Sequence, residues 1–226
     1  MCGRFNLTAS GEEIAEAFGL DETPPLAPRY NIAPTQPIAV VRLDPAARRR
    51  RLASLVWGLV PEGAPETERG FINARAETAW QKPSFREAFA RRRCLVPATG
   101  FYEWQRTEGR RQPWLFALAS GGVLAFAGLW EPPAREGAPP TCTILTTEPN
   151  DLARTVHDRM PVILAREAWP PWLDPERRGA MELRSLLRPY PADAMAARPV
   201  SRAVNSPRTD TPECLEPPEA EPSRLF

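Results

Sequence analysis

Twenty-eight prolines among 226 residues set the first limit on this chain. Each fixes φ and removes a backbone donor, so helix interiors and central strands cannot hold many of them. The expected fold is therefore one of short elements and many loops, without long helices. The length suits one large domain or two small ones, with a buried core of ordinary size. No apolar run approaches 18 residues, and no charged segment followed by an apolar stretch opens the chain. Neither a membrane span nor a secretory signal is expected, so the protein reads as cytoplasmic, with reduced thiols.

Hydrophobic spacing gives the elements. Arg4-Phe5-Asn6-Leu7 alternates as a short strand. Ser10-Gly11-Glu12-Glu13 matches a capping box, with Ile14, Ala17 and Phe18 at helical spacing and Gly19 as the stop. Arg29 to Gln36 is polar and turn-rich, with no packing logic of its own. Ile38–Leu43 and Leu52–Val60 read as a hairpin across a charged turn, and residues 62–70 as a surface loop. Ser84 is placed to cap a helix running to about Arg92, and Cys94–Ala98 reads as a buried strand. A hydrophilic turn is expected near Thr107–Arg111. Trp114–Ala119 and Val123–Trp130 suggest a hairpin across Gly121-Gly122, and Thr141–Thr147 is strongly β-type. Asn150-Asp151 can start a short helix. Val162–Leu164 is a strand candidate, and two short helices fall around Trp169–Trp172 and Met181–Leu187. Residues 189–226 read as mostly irregular, with a frayed acidic end. The expectation is an α+β single domain, with antiparallel strands and helices around them.

Formal net charge is +1, but its make-up is unusual: Lys82 is the only lysine, so almost all positive charge is arginine. That composition can reflect a GC-rich genome. It also supplies the planar fork that suits phosphate. Cys2, Cys94, Cys142 and Cys214 are far apart, form no CxxC pair and are joined by a single histidine. No metal site and no cofactor is expected.

Several polar residues need an explanation beyond solubility. Asn73 and Arg75 interrupt a strand-like run with period-two spacing, which puts both on one face. Glu103 sits between Tyr102 and Trp104, and His157 precedes Asp158-Arg159. Each also has a structural reading: a solvated strand face, a salt bridge at a rim, a hydrogen-bond partner. Cys2 changes their weight. Initiator methionine is commonly removed before a small residue, and the chain then begins with a 1,2-aminothiol. Its amine condenses with an aldehyde to an imine, and its thiol closes a five-membered thiazolidine. Reference pKa values of about 8 and about 8.5 leave a usable fraction of each deprotonated near neutrality. Taken together these side chains supply a nucleophile, an acid/base carboxylate, an imidazole, an amide and a phosphate clamp, which are the parts of a covalent site.

Seven blocks carry a resemblance: Met1-Cys2-Gly3-Arg4-Phe5, Arg29 to Gln36, Trp57-Gly58-Leu59-Val60-Pro61, Asn73 to Thr78, Gly100-Phe101-Tyr102-Glu103-Trp104, Ala127 to Glu131, and His157-Asp158-Arg159-Met160-Pro161. Their order resembles the SOS response-associated peptidase (SRAP) family across residues 1–215, leaving 216–226 as a tail. Asn205-Ser206-Pro207 and Pro212-Glu213-Cys214 also resemble the family's tail. The resemblance implies a half-barrel-like twisted antiparallel sheet, a basic groove and covalent attachment to abasic sites in single-stranded DNA. It implies Cys2 as the bonding residue and Asn73 as the asparagine holding the Cys2 backbone. Arg75 matches the phosphate-gripping arginine, Glu103 the acid/base and His157 the histidine near the sugar ring oxygen. Residues 62–70 depart from the family pattern: they are short and lack a tryptophan that many relatives carry.

Further phosphate contacts are expected from Arg4, Arg159 and Arg86, and base stacking from Trp57 and Trp104, for which core packing is the competing reading. With no heptad pattern to drive association, a monomer is expected. Two rival readings remain at this point. One is an N-terminal-nucleophile amidohydrolase, which needs only the thiol. The other is a non-covalent single-stranded DNA binder, which needs neither thiol nor amine.

Overall fold

The structure is a computed structural model that describes residues 2–44, 46–64, 70–107 and 110–219. In chain order the first half comprises β1 (Phe5–Leu7), α1 (Gly11–Phe18), β2 (Arg29–Ile32), β3 (Pro37–Asp44), β4 (Arg49–Trp57), β5 (Asn73–Arg75), α2 (Arg86–Arg91) and β6 (Arg93–Ala98). The second comprises β7 (Gly100–Thr107), β8 (Arg110–Leu118), β9 (Leu124–Glu131), β10 (Thr141–Thr147), α3 (Asp151–Arg154), β11 (Met160–Pro161), α4 (Trp169–Leu173), α5 (Ala180–Ser185) and β12 (Met195–Pro199). No described helix exceeds the eight residues of α1, as the proline content predicts. None is long and apolar enough to cross a membrane.

The strands form two sheets. One has the order β12-β8-β7-β1-β2 and is antiparallel throughout. The other closes on itself: β3 pairs with β4 and β6, β6 with β9, and β9 with β10, which returns to β4. Strand β10 is the hub of this ring. Along one edge its first residues run parallel to β4, and its later ones run parallel to β5. Along the other edge β9 gives way to β11. The antiparallel expectation thus holds except at β10. Two parallel pairings there let β5 take over the edge that β4 leaves.

Aromatic rings join the sheets. Phe5 of β1 meets Trp57 of β4 edge-on at 5.3 Å and Phe126 of β9 at 5.9 Å. Phe101 of β7 stacks on Phe116 of β8 at 5.0 Å. The opposite face of the first sheet carries a smaller apolar cluster, Tyr102, Leu115, Val200, Val204 and Cys214. The C-terminal segment lies over it.

Several expectations need correction. The strands flanking Gly121-Gly122 do not pair with each other: β8 belongs to one sheet and β9 to the other. The two glycines, at φ 71° and 87°, turn the chain between sheets. The hairpin is β7–β8 instead. Strand β4 begins at Arg49, inside the expected charged turn. Phe85, not Ser84, precedes α2, and no side chain caps it. Residues 189–226 include β12, an edge strand paired with β8 alone, a position where a terminal proline is tolerated. The segment around Arg29 is a strand whose Asn31 is fully buried. Within the expected loop at 62–70, residues 65–69 lie outside the described residues, as do Met1 and residues 220–226 of the tail.

Candidate active site

Strand register brings the first residues of the chain against β7. Phe5 lies opposite Phe101 and Asn6 opposite Gly100. The Tyr102 N–H donates to the Arg4 carbonyl at 2.9 Å. Continued by one residue, this register sets Glu103 against Gly3, beside Cys2. Alternation along β7 turns Phe101 and Glu103 toward the main core and Tyr102 toward the smaller cluster. Cys2 is fully buried and packs in the main core.

The asparagine arrives from β5. Ile144, Leu145 and Thr146 of β10 pair with Asn73, Ala74 and Arg75. Just upstream, Leu59 and Phe71 exchange both backbone hydrogen bonds, at 3.0 and 2.8 Å. From that position Asn73 Nδ2 donates to the Cys2 carbonyl at 2.7 Å. Its Oδ1 is buried with no partner among the described residues, so the amide retains an acceptor. Ala74 between them is buried, while Arg75 is exposed and its guanidinium makes no hydrogen bond or ion pair with a described residue.

His157 follows α3. Asn150 caps that helix by accepting from the Ala153 N–H at 2.8 Å, and donates through Nδ2 to the Tyr190 carbonyl at 2.7 Å. Gln105 of β7 donates to the Thr155 carbonyl at 3.3 Å, which ties the end of the helix to the strand bearing Glu103. His157 Nε2 then lies 3.8 Å from Glu103 Oε2. Its Nδ1 accepts the Arg159 N–H at 3.0 Å and is also 3.0 Å from Asp158 Oδ1.

Burial decides the charge states. Desolvation pushes the Glu103 carboxyl up to about 7, so it stands near half-ionised at neutral pH. Desolvation lowers the His157 imidazolium below its usual range, leaving the ring neutral near pH 7. The Arg159 N–H donating to Nδ1 favours the neutral tautomer with its proton on Nε2, toward Glu103, while Asp158 Oδ1 at 3.0 Å from Nδ1 favours the other. The Cys2 thiol is pushed well up, first by burial and then by the Glu103 charge, so it stays protonated.

The remaining expected contacts divide. Arg159 is spent on Glu77, which it grips in two places at 2.8 and 2.9 Å, and on the Thr146 carbonyl at 2.6 Å. Arg4 donates to Asn31 Oδ1 and the Val204 carbonyl, each at 2.8 Å, and lies 5.7 Å from the Trp104 ring centroid. Its work is to hold the C-terminal segment. Trp57 cannot stack on bases: it is 0% exposed and donates its indole N–H to the Ile72 carbonyl. Core packing, the competing reading, describes it. Trp104 is half-buried, on the face of β7 away from Glu103, and donates to Asn205 Oδ1. Arg86 is exposed at the start of α2, which packs on β6 and β9, elements that carry none of these side chains. Arg106, not anticipated from the sequence, is exposed and close enough for its charge to depress the imidazolium of His157. Its only sequence signal was its place three residues after Glu103, at the edge of a turn. Among the described residues no group of three or more His, Cys, Asp or Glu side chains converges as a metal site would.

Comparison with known proteins identifies the family. The family model described as SOS response associated peptidase (SRAP) matches residues 1–207. A Bacillus subtilis protein named abasic site processing protein YoqW is 45% identical, over 96% of this chain and 99% of its own. The Gallus gallus protein named abasic site processing protein HMCES is 34% identical, over 85% of this chain and 67% of its own. A solved Bordetella bronchiseptica structure superposes with a TM-score of 0.76 at 30% identity, over 88% of this chain and all of that one. A Bacteroides thetaiotaomicron structure gives 0.82 at 24% identity, over 96% and 99%, and shares the fold. With the family model covering most of its length and close relatives matching it end to end, the chain belongs to the SRAP family.

Proposed function

We propose that the protein processes abasic sites by bonding Cys2 to the lesion in single-stranded DNA. The observation that carries this reading is the grip of Asn73 on the Cys2 carbonyl, beside a carboxyl whose pKa is raised to about 7. The names of the relatives above support the same substrate.

Removal of Met1 turns the Cys2 nitrogen from an amide into an amine. An abasic deoxyribose interconverts between a closed hemiacetal and an open aldehyde. His157 Nε2–H donates toward the ring oxygen and favours the open form. Glu103 takes a proton from the Cys2 ammonium, a transfer suited to a base with a pKa near the working pH. The free amine attacks C1′, and loss of one water leaves the imine. The thiol then adds across C=N: sulfur bonds to C1′ and the proton goes to nitrogen, closing the thiazolidine. A thiol that stays protonated until the imine exists fits this order. Ring closure removes the electron sink that would drive β-elimination of the 3′ phosphate, so the strand stays intact. Asn73 contributes by proximity, fixing the backbone that carries both nucleophiles. Arg75, exposed and unspent, is the phosphate contact this geometry favours.

The family's name includes a peptidase, and the bond at issue in this chain is Met1–Cys2. Intact mass of Cys2→Ala and Glu103→Gln protein, produced in cells lacking methionine aminopeptidase activity, separates self-removal from trimming by that enzyme.

The reading is tested by denaturing-gel crosslinking to single-stranded DNA with one abasic site. The native protein should give a heat-stable band, absent for Cys2→Ala and for a form that retains Met1. A stable adduct of full strength with Cys2→Ala would remove Cys2 as the nucleophile.

A further inference from the structure

Beside β5 lies a cleft of about 300 Å³, lined by Ala76, Glu77, Met181, Arg184, Leu187 and Arg188. That volume is at the small end of the range for ligand sites. We propose that it holds an unpaired nucleotide of the DNA strand next to the lesion, on the flank whose phosphate Arg75 grips. This rests on the proposed function above and extends it to a second contact.

Three observations point to that occupant. The first is continuity: the cleft is lined by Ala76 and Glu77, the two residues after Arg75, so a strand held at Arg75 lies beside it. The second is an apolar floor left in water. Met181 is 73% exposed and is the one large hydrophobic side chain so exposed among the described residues. It sits on α5, Leu187 lines the same cleft, and a flexible thioether suits the flat face of a base. The third is charge. Arg184 lies with its guanidinium 5.0 Å from the Trp80 ring centroid, and its one hydrogen bond is a weak contact to the Met181 sulfur. Arg188 is exposed and makes no hydrogen bond or ion pair with a described residue.

The acidic groups nearby are already matched. Glu77 is held in two places by Arg159, and Glu182 pairs with Arg177. Among the described residues, the wall is therefore left with two cations that no carboxylate neutralises, above an apolar floor. That pattern fits a base on Met181 and its phosphate on Arg184 and Arg188. A neutral peptide or small molecule would leave both cations without an anionic partner.

The test compares abasic oligonucleotides extended by zero to four nucleotides, on the 5′ side in one series and the 3′ side in the other. Affinity of the native protein should rise with length on one side only. The gain should collapse in R184A/R188A. Two phosphate contacts correspond to a salt slope of about −1.4, so the variant should lose about sevenfold less affinity between 50 and 200 mM salt than the native protein. Met181→Ser should reduce the gain while leaving that slope in place. Equal gain in the native protein and R184A/R188A overturns the proposal, as does the absence of any gain with length. If the native protein binds these strands but forms no adduct, the covalent reading fails. Loss of strand affinity in R184A/R188A would then still uphold the cleft.

Discussion

Glu103 couples stability and chemistry at a single residue. Its carboxyl titrates near 7 when folded, because burial penalises the charge, and near 4.3 when unfolded. A folded state that binds the extra proton is favoured below the unfolded value and loses that advantage as pH rises through about 7. The chemistry proposed for Glu103 needs the opposite form, the carboxylate. The crosslinking rate should therefore climb between pH 6 and 8 with an inflection near 7, while stability falls over the range leading up to it. Glu103→Gln should separate the two. Its melting temperature should exceed that of the native protein at pH 8 by more than at pH 5, and its rate should lose the inflection and most of its magnitude. A variant that keeps the inflection at 7 would assign it to another group. Its aromatic flanks and family motif mark this residue in the sequence. The shift is not legible there, because burial depends on which strand lies opposite.

At the scale of elements, the site hangs on β5, a three-residue strand that cannot hold its own position. A close approach of two glycines steadies it. A Cβ at Gly70 would meet the Gly58 carbonyl oxygen at 2.2 Å, and that oxygen is backbone, which cannot swing aside. Gly70→Ala should destabilise the protein by about 1–3 kcal/mol, the usual cost of overpacking. Because Asn73 is three residues downstream, crosslinking should fall further than the folded fraction does. Urea melts and single-turnover rates on the folded protein check both. Elements of this kind mark the limit of legibility. Helix α1 was readable because its capping box, Glu13 bonding back to Ser10, and its left-handed stop at Gly19 are local. The β8–β9 hairpin was misread because Gly121-Gly122 makes a tight turn whether the strands pair or part. Strand β12 was hidden because its pairing partner, β8, lies about eighty residues away in the chain. Asn73, Glu103 and His157 could be named from motifs. That Arg4 and Arg159 are occupied within the protein could not, since their partners at Asn31, Val204 and Glu77 are distant in sequence.

Across the whole molecule, the C-terminal segment acts as a strap that locks the segment running from Cys2 into β1. Asn31 is its buckle. Its Nδ2 lies within reach of the carbonyls of Val204, Ser206 and Thr209, at 3.2, 2.9 and 2.6 Å, while its Oδ1 accepts from Arg4. Asp210 closes the other side by accepting from Arg29 and from the Tyr30 and Asn31 N–H groups. Burial pushes the Asp210 carboxyl up, but those donors outweigh it and hold the pKa below the usual range. The strap's grip is therefore present at neutral pH and lost as pH falls through that lowered value. Cys2 is two residues from Arg4, so under the proposed function the strap fixes the nucleophile from the sheet face opposite Glu103. Asn31→Ala removes the amide donor to the Ser206 and Thr209 carbonyls and one of the two acceptors of the Arg4 guanidinium, which should cost about 1–3 kcal/mol. The informative readout is how activity is lost. With the strap loosened, the maximal crosslinking rate at saturating DNA should drop while the dissociation constant for undamaged single-stranded DNA holds, because Arg75 sits on a different sheet. A loss of DNA affinity at an unchanged maximal rate would instead put the strap in the binding surface and detach it from the positioning of Cys2.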